Sequence, residues 1–90
     1  MTKEVVVQRS PKDADIHAQV DTKKLVFDLT GTARVGVEPG THVLVYFLVA
    51  EPGTKFKMEI QAPPEAVFSR EHRVPSDGVT VGTKKFPVNM

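Results

Sequence analysis

Residues 35–62 read VGVEPGTHVLVYFLVAEPGTKFKMEIQA, and this stretch decides the fold. The tetrapeptide Glu-Pro-Gly-Thr occurs twice in it, at 38–41 and at 51–54, and brackets the most apolar segment of the chain, residues 42–50. Proline fixes φ at about −65° and glycine tolerates positive φ, so Pro-Gly at the two central positions favours a type II turn. The stretch therefore predicts three consecutive strands joined by two such turns, the middle of a β-meander.

The strand between the two turns is apolar on both faces. Side chains alternate between the faces of a strand, which places Val43, Val45, Phe47 and Val49 on one side and Leu44, Tyr46 and Leu48 on the other. A sheet with one wet face carries polar residues at every second position. We therefore expect this strand to be shielded on both sides, by an opposing sheet and by a further layer such as the C-terminal segment or a second subunit.

Alternation with a period of two recurs along the rest of the chain and predicts further strands, most of them half buried. Polar turns separate them, at residues 10–13, 21–24 and 30–32. The expected inward residues are Val5 and Val7, then Ala14, Ile16, Ala18 and Val20, then Leu25, Phe27 and Leu29, then Ala33, Val35 and Val37, then Phe56, Met58, Ile60 and Ala62.

The C-terminal third has two interpretations. Pro64 followed by Glu65, with Arg70 and Arg73 further on, has the charge asymmetry of a short helix over residues 64–72. The alternative is an irregular crossover. Residues 79–81 and 86–88 then predict two short strands, the second of them at a sheet edge because Pro87 has no N–H to donate to a neighbour.

Together these patterns predict one all-β domain over residues 1–90. About seven short strands with polar turns are typical of an antiparallel β-sandwich, immunoglobulin-like or of a related Greek key. The excess of β-branched residues, including 15 valines, agrees with a sheet protein. A small β-barrel is the alternative architecture.

Composition limits the classes of function. The chain has 90 residues, no cysteine, and 12 Lys and Arg against 11 Asp and Glu, so neither a disulfide framework nor a strong charge bias is present. The longest apolar run is too short to span a bilayer, and the N-terminal residues do not resemble a secretory signal. We therefore expect a small protein of the cytoplasm.

No motif predicts a catalytic, metal or cofactor site. The three histidines lie far apart in sequence, and only His17 shares a strand face with a carboxylate, that of Asp15, with Asp13 just before it. Metal sites need three or four converging ligands, so a solvated strand face explains this pair better. Because no serine lies in a nucleophile elbow and the glycines are dispersed, we expect no enzymatic activity and no cofactor.

The two-faced strand motivates the leading hypothesis, a non-catalytic protein that acts through contact with another protein or with a second copy of itself. The predicted interface residues are Leu44, Tyr46, Leu48, Val67 and Phe68. The alternative is a small protein that binds nucleic acid or another polyanion through lysine-rich strand faces. Its predicted contact residues are Lys55, Lys57, Arg70, Arg73, Lys84 and Lys85.

Overall fold

The computed structural model describes residues 2–11 and 15–89, and over these residues two four-stranded antiparallel sheets pack face to face. The strands are β1 (Lys3–Ser10), β2 (Ile16–Val20), β3 (Lys23–Lys24), β4 (Thr32–Val37), β5 (Gly40–Val49), β6 (Lys55–Ala62), β7 (Phe68–Arg73) and β8 (Val79–Val88). Sheet 1 has the order β4-β1-β6-β7, and sheet 2 has the order β3-β2-β5-β8. The predicted all-β antiparallel sandwich is thereby confirmed. None of the helical residues described forms a segment long and apolar enough to cross a bilayer.

The core lies between the sheets and is built by the alternation that the sequence predicts. Two β-branched residues of β1, Val5 and Val7, are fully buried, as are Val20 of β2 and Leu44 and Tyr46 of β5 in the other sheet. Alanine 14, the first residue expected in the β2 alternation, lies outside the described residues. The other buried core residues of the strands are Ile16, Ala18, Val20, Ala33, Val37, Leu44, Tyr46, Leu48, Phe56, Met58, Ile60, Phe86 and Val88.

The predicted β-meander is wrong, because β5 pairs with neither of its sequence neighbours. β4 and β6 belong to sheet 1, whereas β5 lies in the interior of sheet 2 between β2 and β8. The two Pro-Gly segments are therefore crossovers between sheets. Both crossovers are bonded to distant parts of the chain, and these bonds direct the chain across the sandwich.

The two crossovers differ in backbone conformation. At the second, Gly53 has φ 88° and the Thr54 N–H donates to the Glu51 carbonyl at 3.1 Å, as a type II turn requires. The Gly53 N–H also donates to Val74 O at 2.8 Å, which ties the corner to the chain after β7. At the first, Gly40 has φ 142°, far from the type II value, so the predicted turn is absent there.

A histidine replaces the turn hydrogen bond at the first crossover. The ring nitrogens of His42 lie 2.6 Å from Asp21 Oδ2 and 2.6 Å from the Glu38 carbonyl oxygen. The other carboxylate oxygen, Asp21 Oδ1, accepts the Val43 N–H at 3.0 Å. Both atoms facing the ring are acceptors, so the ring satisfies both only when both nitrogens carry hydrogen, that is, as the imidazolium. This clamp joins the β2–β3 turn to the start of β5.

The predicted helix over residues 64–72 is wrong. Only Pro64–Ala66 forms a single 3-10 turn, and β7 follows at once. Phe68 and His72 lie opposite Ile60 and Phe56 of β6. The side chains of this segment therefore follow the two-residue period of a strand and not the period of a helix. The basic residues that suggested a helix C-terminus are strand residues.

The predicted strand over residues 25–29 is also wrong. Strand pairing ends at Lys24, Leu25 alone is fully buried, and Leu29 is 94% exposed. At the end of the segment, Asp28 Oδ1 accepts the N–H groups of Thr30 and Thr32 at 2.8 and 3.1 Å. A side chain that captures the following backbone N–H groups closes a turn in place of a strand.

The C-terminal strand is a single element of ten residues, not the two short strands predicted. Its edge position in sheet 2, predicted from Pro87, is confirmed. Gly82 lies directly opposite Tyr46 in the β5–β8 register, and the Tyr46 ring covers it so closely that a Cβ on Gly82 would lie 2.2 Å from Tyr46 Cζ. An aromatic ring lying over a cross-strand glycine replaces the missing side chain and fixes the pairing.

Replacing Gly82 by alanine is expected to destabilise the fold by about 2–3 kcal/mol, because the new methyl group overlaps a fully buried ring. The matched control is Gly36→Ala in β4, where the nearest atom to the added Cβ is 3.8 Å away. The control is expected to be neutral or to stabilise by up to about 1 kcal/mol. Urea denaturation measures both variants, and equal effects of the two would contradict the close contact.

The His42 clamp is expected to make stability fall on the alkaline side of pH 6.5. The hydrogen bond that the His42 ring donates to Asp21 raises the pKa of His42 above its usual 6.5, although burial acts in the opposite direction. A raised folded-state pKa gives a contribution that is complete below 6.5 and is lost as the pH rises through the folded-state value. Urea titrations across pH 6–9 test this on His42→Gln, which should lose the dependence, and on the exposed His17→Gln, which should keep it.

Candidate interaction surface

The outer face of sheet 2 carries an apolar surface that none of the described residues covers with a further layer. β5 occupies its middle, and its outward residues lie beside the outward residues of β8, with Phe47 opposite Val81 and Val49 opposite Val79. These four side chains are 44%, 63%, 61% and 41% exposed, in that order. Together with the half-buried pair nearer the start of β5 they form what we call the outer patch: Val43, Val45, Phe47, Val49, Val79 and Val81.

The centre of the outer patch is ordered by aromatic stacking. The His17 ring of β2 lies on the Phe47 ring with centroids 5.0 Å apart and planes 16° apart. Asp15 Oδ1 lies 3.5 Å from His17 Nε2, so a carboxylate borders the stack. Beside Phe47 a groove of about 320 Å³ runs between β2 and β5, lined by His17, Ala18, Gln19, Lys24, Val45 and Phe47.

The residues predicted as the interface are mostly in the core. Leu44 and Tyr46 have no exposed surface and Leu48 is 2% exposed, so they face sheet 1 and are not available to a partner. Val67 is 63% exposed, and Phe68 is half buried beneath the Lys84 ammonium, 5.6 Å from the ring centroid. The exposed apolar face of β5 is thus the face opposite to the one predicted from sequence.

Tyr46 shows why that face points inward. Its hydroxyl lies 2.6 Å from His72 Nε2 across the sandwich, and Phe56 stacks on His72 with centroids 5.0 Å apart. Burial raises the pKa of Tyr46, although Arg70 acts in the opposite direction. Burial is also the main reason that the pKa of His72 is lowered, and the positive charge of Arg70 lowers it further. A protonated phenol therefore donates to a neutral imidazole, which joins β5 of sheet 2 to β7 of sheet 1.

The basic residues considered for polyanion binding lie on three separate surfaces. Lys55 and Arg73 are directly opposite each other on the outer face of sheet 1, with Lys57 close by. Acidic residues interrupt this group: Glu71 lies opposite Lys57, and Glu59 Oε1 is 3.6 Å from Lys57 Nζ.

The other three basic residues lie apart from that group. Arg70 shares the inner face of β7 with His72. Lys84 lies over Phe68, on the side of the sandwich where β7 and β8 are the edge strands. Lys85 lies on the outer face of sheet 2. A continuous positive surface is not formed.

The remaining sequence candidates do not converge. Across residues 2–11 and 15–89, no three His, Cys, Asp or Glu side chains come together as metal ligands would. Asp13, considered with Asp15 and His17, lies outside the described residues. His42 and His72 both have structural partners within the fold, namely Asp21 and Tyr46.

Comparison of the chain with protein-family models, with curated proteins and with solved structures finds no match. The surface just described therefore has to be interpreted from its own chemistry.

Proposed function

We propose that this protein is a non-catalytic β-sandwich that acts through protein–protein contact made by the outer patch. The observation that carries the proposal is the cluster of Phe47, Val49, Val79 and Val81, which are exposed and adjacent on two paired strands. Single exposed apolar residues are ordinary on protein surfaces, whereas contiguous ones mark binding surfaces. Exposed apolar residues elsewhere in the described chain, such as Leu29 and Val67, stand on separate loops.

The form of the patch supports a protein partner. It has an aromatic residue, Phe47, at its centre and is bordered by polar groups including Asp15 and Lys24. An apolar centre with an aromatic anchor and a polar rim is the usual composition of a protein interface. The polyanion alternative has less support, because its six basic residues are dispersed and partly opposed by acidic neighbours.

We also propose that the sandwich is a Greek key related to the immunoglobulin fold. In that fold the second and fifth strands of the standard lettering, B and E, pair in one sheet while C and F pair in the other. Here β1 pairs with β4 in sheet 1 and β2 pairs with β5 in sheet 2, which is the same interlocking of two strand pairs. The β6–β7 hairpin on the free side of β1 is the departure from the standard arrangement.

A capture experiment with charge substitutions tests the proposed function. The immobilised wild-type protein, Val81→Glu and Leu29→Glu are incubated with extract from the source cells, and retained proteins are identified by mass spectrometry. Val81→Glu places a charge in the outer patch, and Leu29→Glu places the same charge on a loop position that is still more exposed. We expect a defined set of partners, further copies of the chain included, to be retained by the wild type and Leu29→Glu and reduced at least tenfold by Val81→Glu.

Both substitutions are at exposed side chains, so both variants are expected to fold, and circular dichroism confirms this before capture. Retention of the same proteins by all three baits would place the contact elsewhere on the surface. The absence of any retained protein, with a wild type that stays monomeric, would remove the proposal altogether.

A further inference from the structure

The charges that flank the outer patch differ at its two ends. At the end where β2 and β8 begin and β5 finishes, Asp15 and Asp77 are exposed. At the opposite end, Lys24 lies beside Gln19 and Lys85 beside Val43, while the Asp21 carboxylate at that end is paired with the His42 ring. The apolar surface therefore has one acidic end and one basic end along the strand direction.

We propose that the outer patch packs against the outer patch of a second copy of this chain, with a two-fold axis running across the strands. The inference rests on the proposed function and names its partner. A two-fold interface joins the same surface on both copies, so the surface has to be complementary to itself. With the axis across the strands, the strands of the two copies run in opposite directions, and the acidic end of each copy meets the basic end of the other.

This arrangement forms two kinds of ion pair, each twice. An axis across the strands keeps β2 facing β2 and β8 facing β8, so Asp15 of one copy lies near Lys24 of the other, and Asp77 lies near Lys85. An axis along the strands would instead bring Asp15 towards Asp77, and Lys24 towards Lys85. Like charges in such contacts oppose association, so the charge pattern selects the first arrangement.

The same axis aligns the apolar residues. Centred between Val45 and Phe47, it places the Phe47 ring of each copy over Val45 of the other, at the mouth of the groove beside β2. Ordinary sheet-on-sheet packing has a crossing angle of about 30° and a separation of about 10 Å. This crossing angle and this separation allow a lysine side chain of one copy to reach a carboxylate on the other copy.

The size of the face predicts a weak dimer. β5 and β8 have ten residues each and β2 has five, so at about 3.3 Å per residue and a strand spacing of about 4.8 Å the face covers roughly 400 Å² in projection per copy. Stable interfaces bury about 800 Å² per partner. We therefore expect a dissociation constant in the micromolar range.

A charge exchange between copies tests the proposal. Sedimentation equilibrium of the purified protein over a wide concentration range is expected to show a monomer–dimer equilibrium. Asp15→Lys and Lys24→Glu each replace two attractive contacts by repulsive ones and are expected to weaken the dimer about three- to tenfold. An equimolar mixture of the two variants restores both pairs in a mixed dimer, which should associate nearly as tightly as the wild type. Glu4→Lys, the same charge change on the outer face of sheet 1, should have no effect.

The outcomes separate this inference from the proposed function. A dimer that is strengthened by Asp15→Lys has the axis along the strands and overturns the arrangement. A protein that stays monomeric at every concentration overturns self-association, while partners captured through Val81 would keep the proposed function. A dimer that Asp15→Lys and Lys24→Glu leave unchanged forms through another surface, which also overturns the inference.

Discussion

The contact between the Tyr46 ring and the backbone of Gly82 decides how this sandwich is arranged. A strand that is apolar on both sides has two ways to face a core, and only one of them can be used. Tyr46 needs space above its partner strand, and Gly82 provides it at the one position of β8 that lies opposite. With the ring in that space, the phenol reaches His72 on the other sheet at 2.6 Å. The orientation of β5 follows, and the valines and Phe47 on its reverse side are turned outward.

The proposed function depends on the outward orientation of those residues, which follows from the packing of the core. In a half-buried strand the outer face is polar and has no need of a partner. On β5 the outer face is apolar, and the neighbouring residues of β8 extend it to a second strand. The apolar reverse of the central strand is thus a property that folding within this chain does not require, since the inner face alone builds the core. The proposed contact with another protein would account for it.

The sequence predicts the strands better than it predicts their connections. Alternation identified the buried residues of β1, β2 and β6, because side-chain direction in a strand is a local property. The crossovers at Pro39-Gly40 and Pro52-Gly53 were mistaken for hairpins, since the bonds that direct the chain to the other sheet come from Asp21 and Val74, which are distant in sequence. Tertiary hydrogen bonds of that kind leave no local pattern.

The interface residues predicted on β5 lie on the face of that strand that the structure buries. Periodicity shows that Leu44, Tyr46 and Leu48 share a side, but it cannot show which side meets the second sheet. One signal in the sequence does bear on this: a buried tyrosine pairs well with a glycine on the neighbouring strand, and Gly82 is flanked by β-branched residues in an otherwise regular strand pattern. Recognising it requires the β5–β8 register, which only the structure supplies.

The orientation of β5 is tested most directly by the reactivity of single cysteines, since the chain contains none of its own. Phe47→Cys and Leu48→Cys are adjacent in sequence and point to opposite faces. In dilute native protein, a thiol reagent should modify the cysteine at 47 at nearly the rate seen in urea, and the cysteine at 48 at least a hundredfold more slowly than in urea. The reverse order, with position 48 reactive and position 47 protected, would contradict the account.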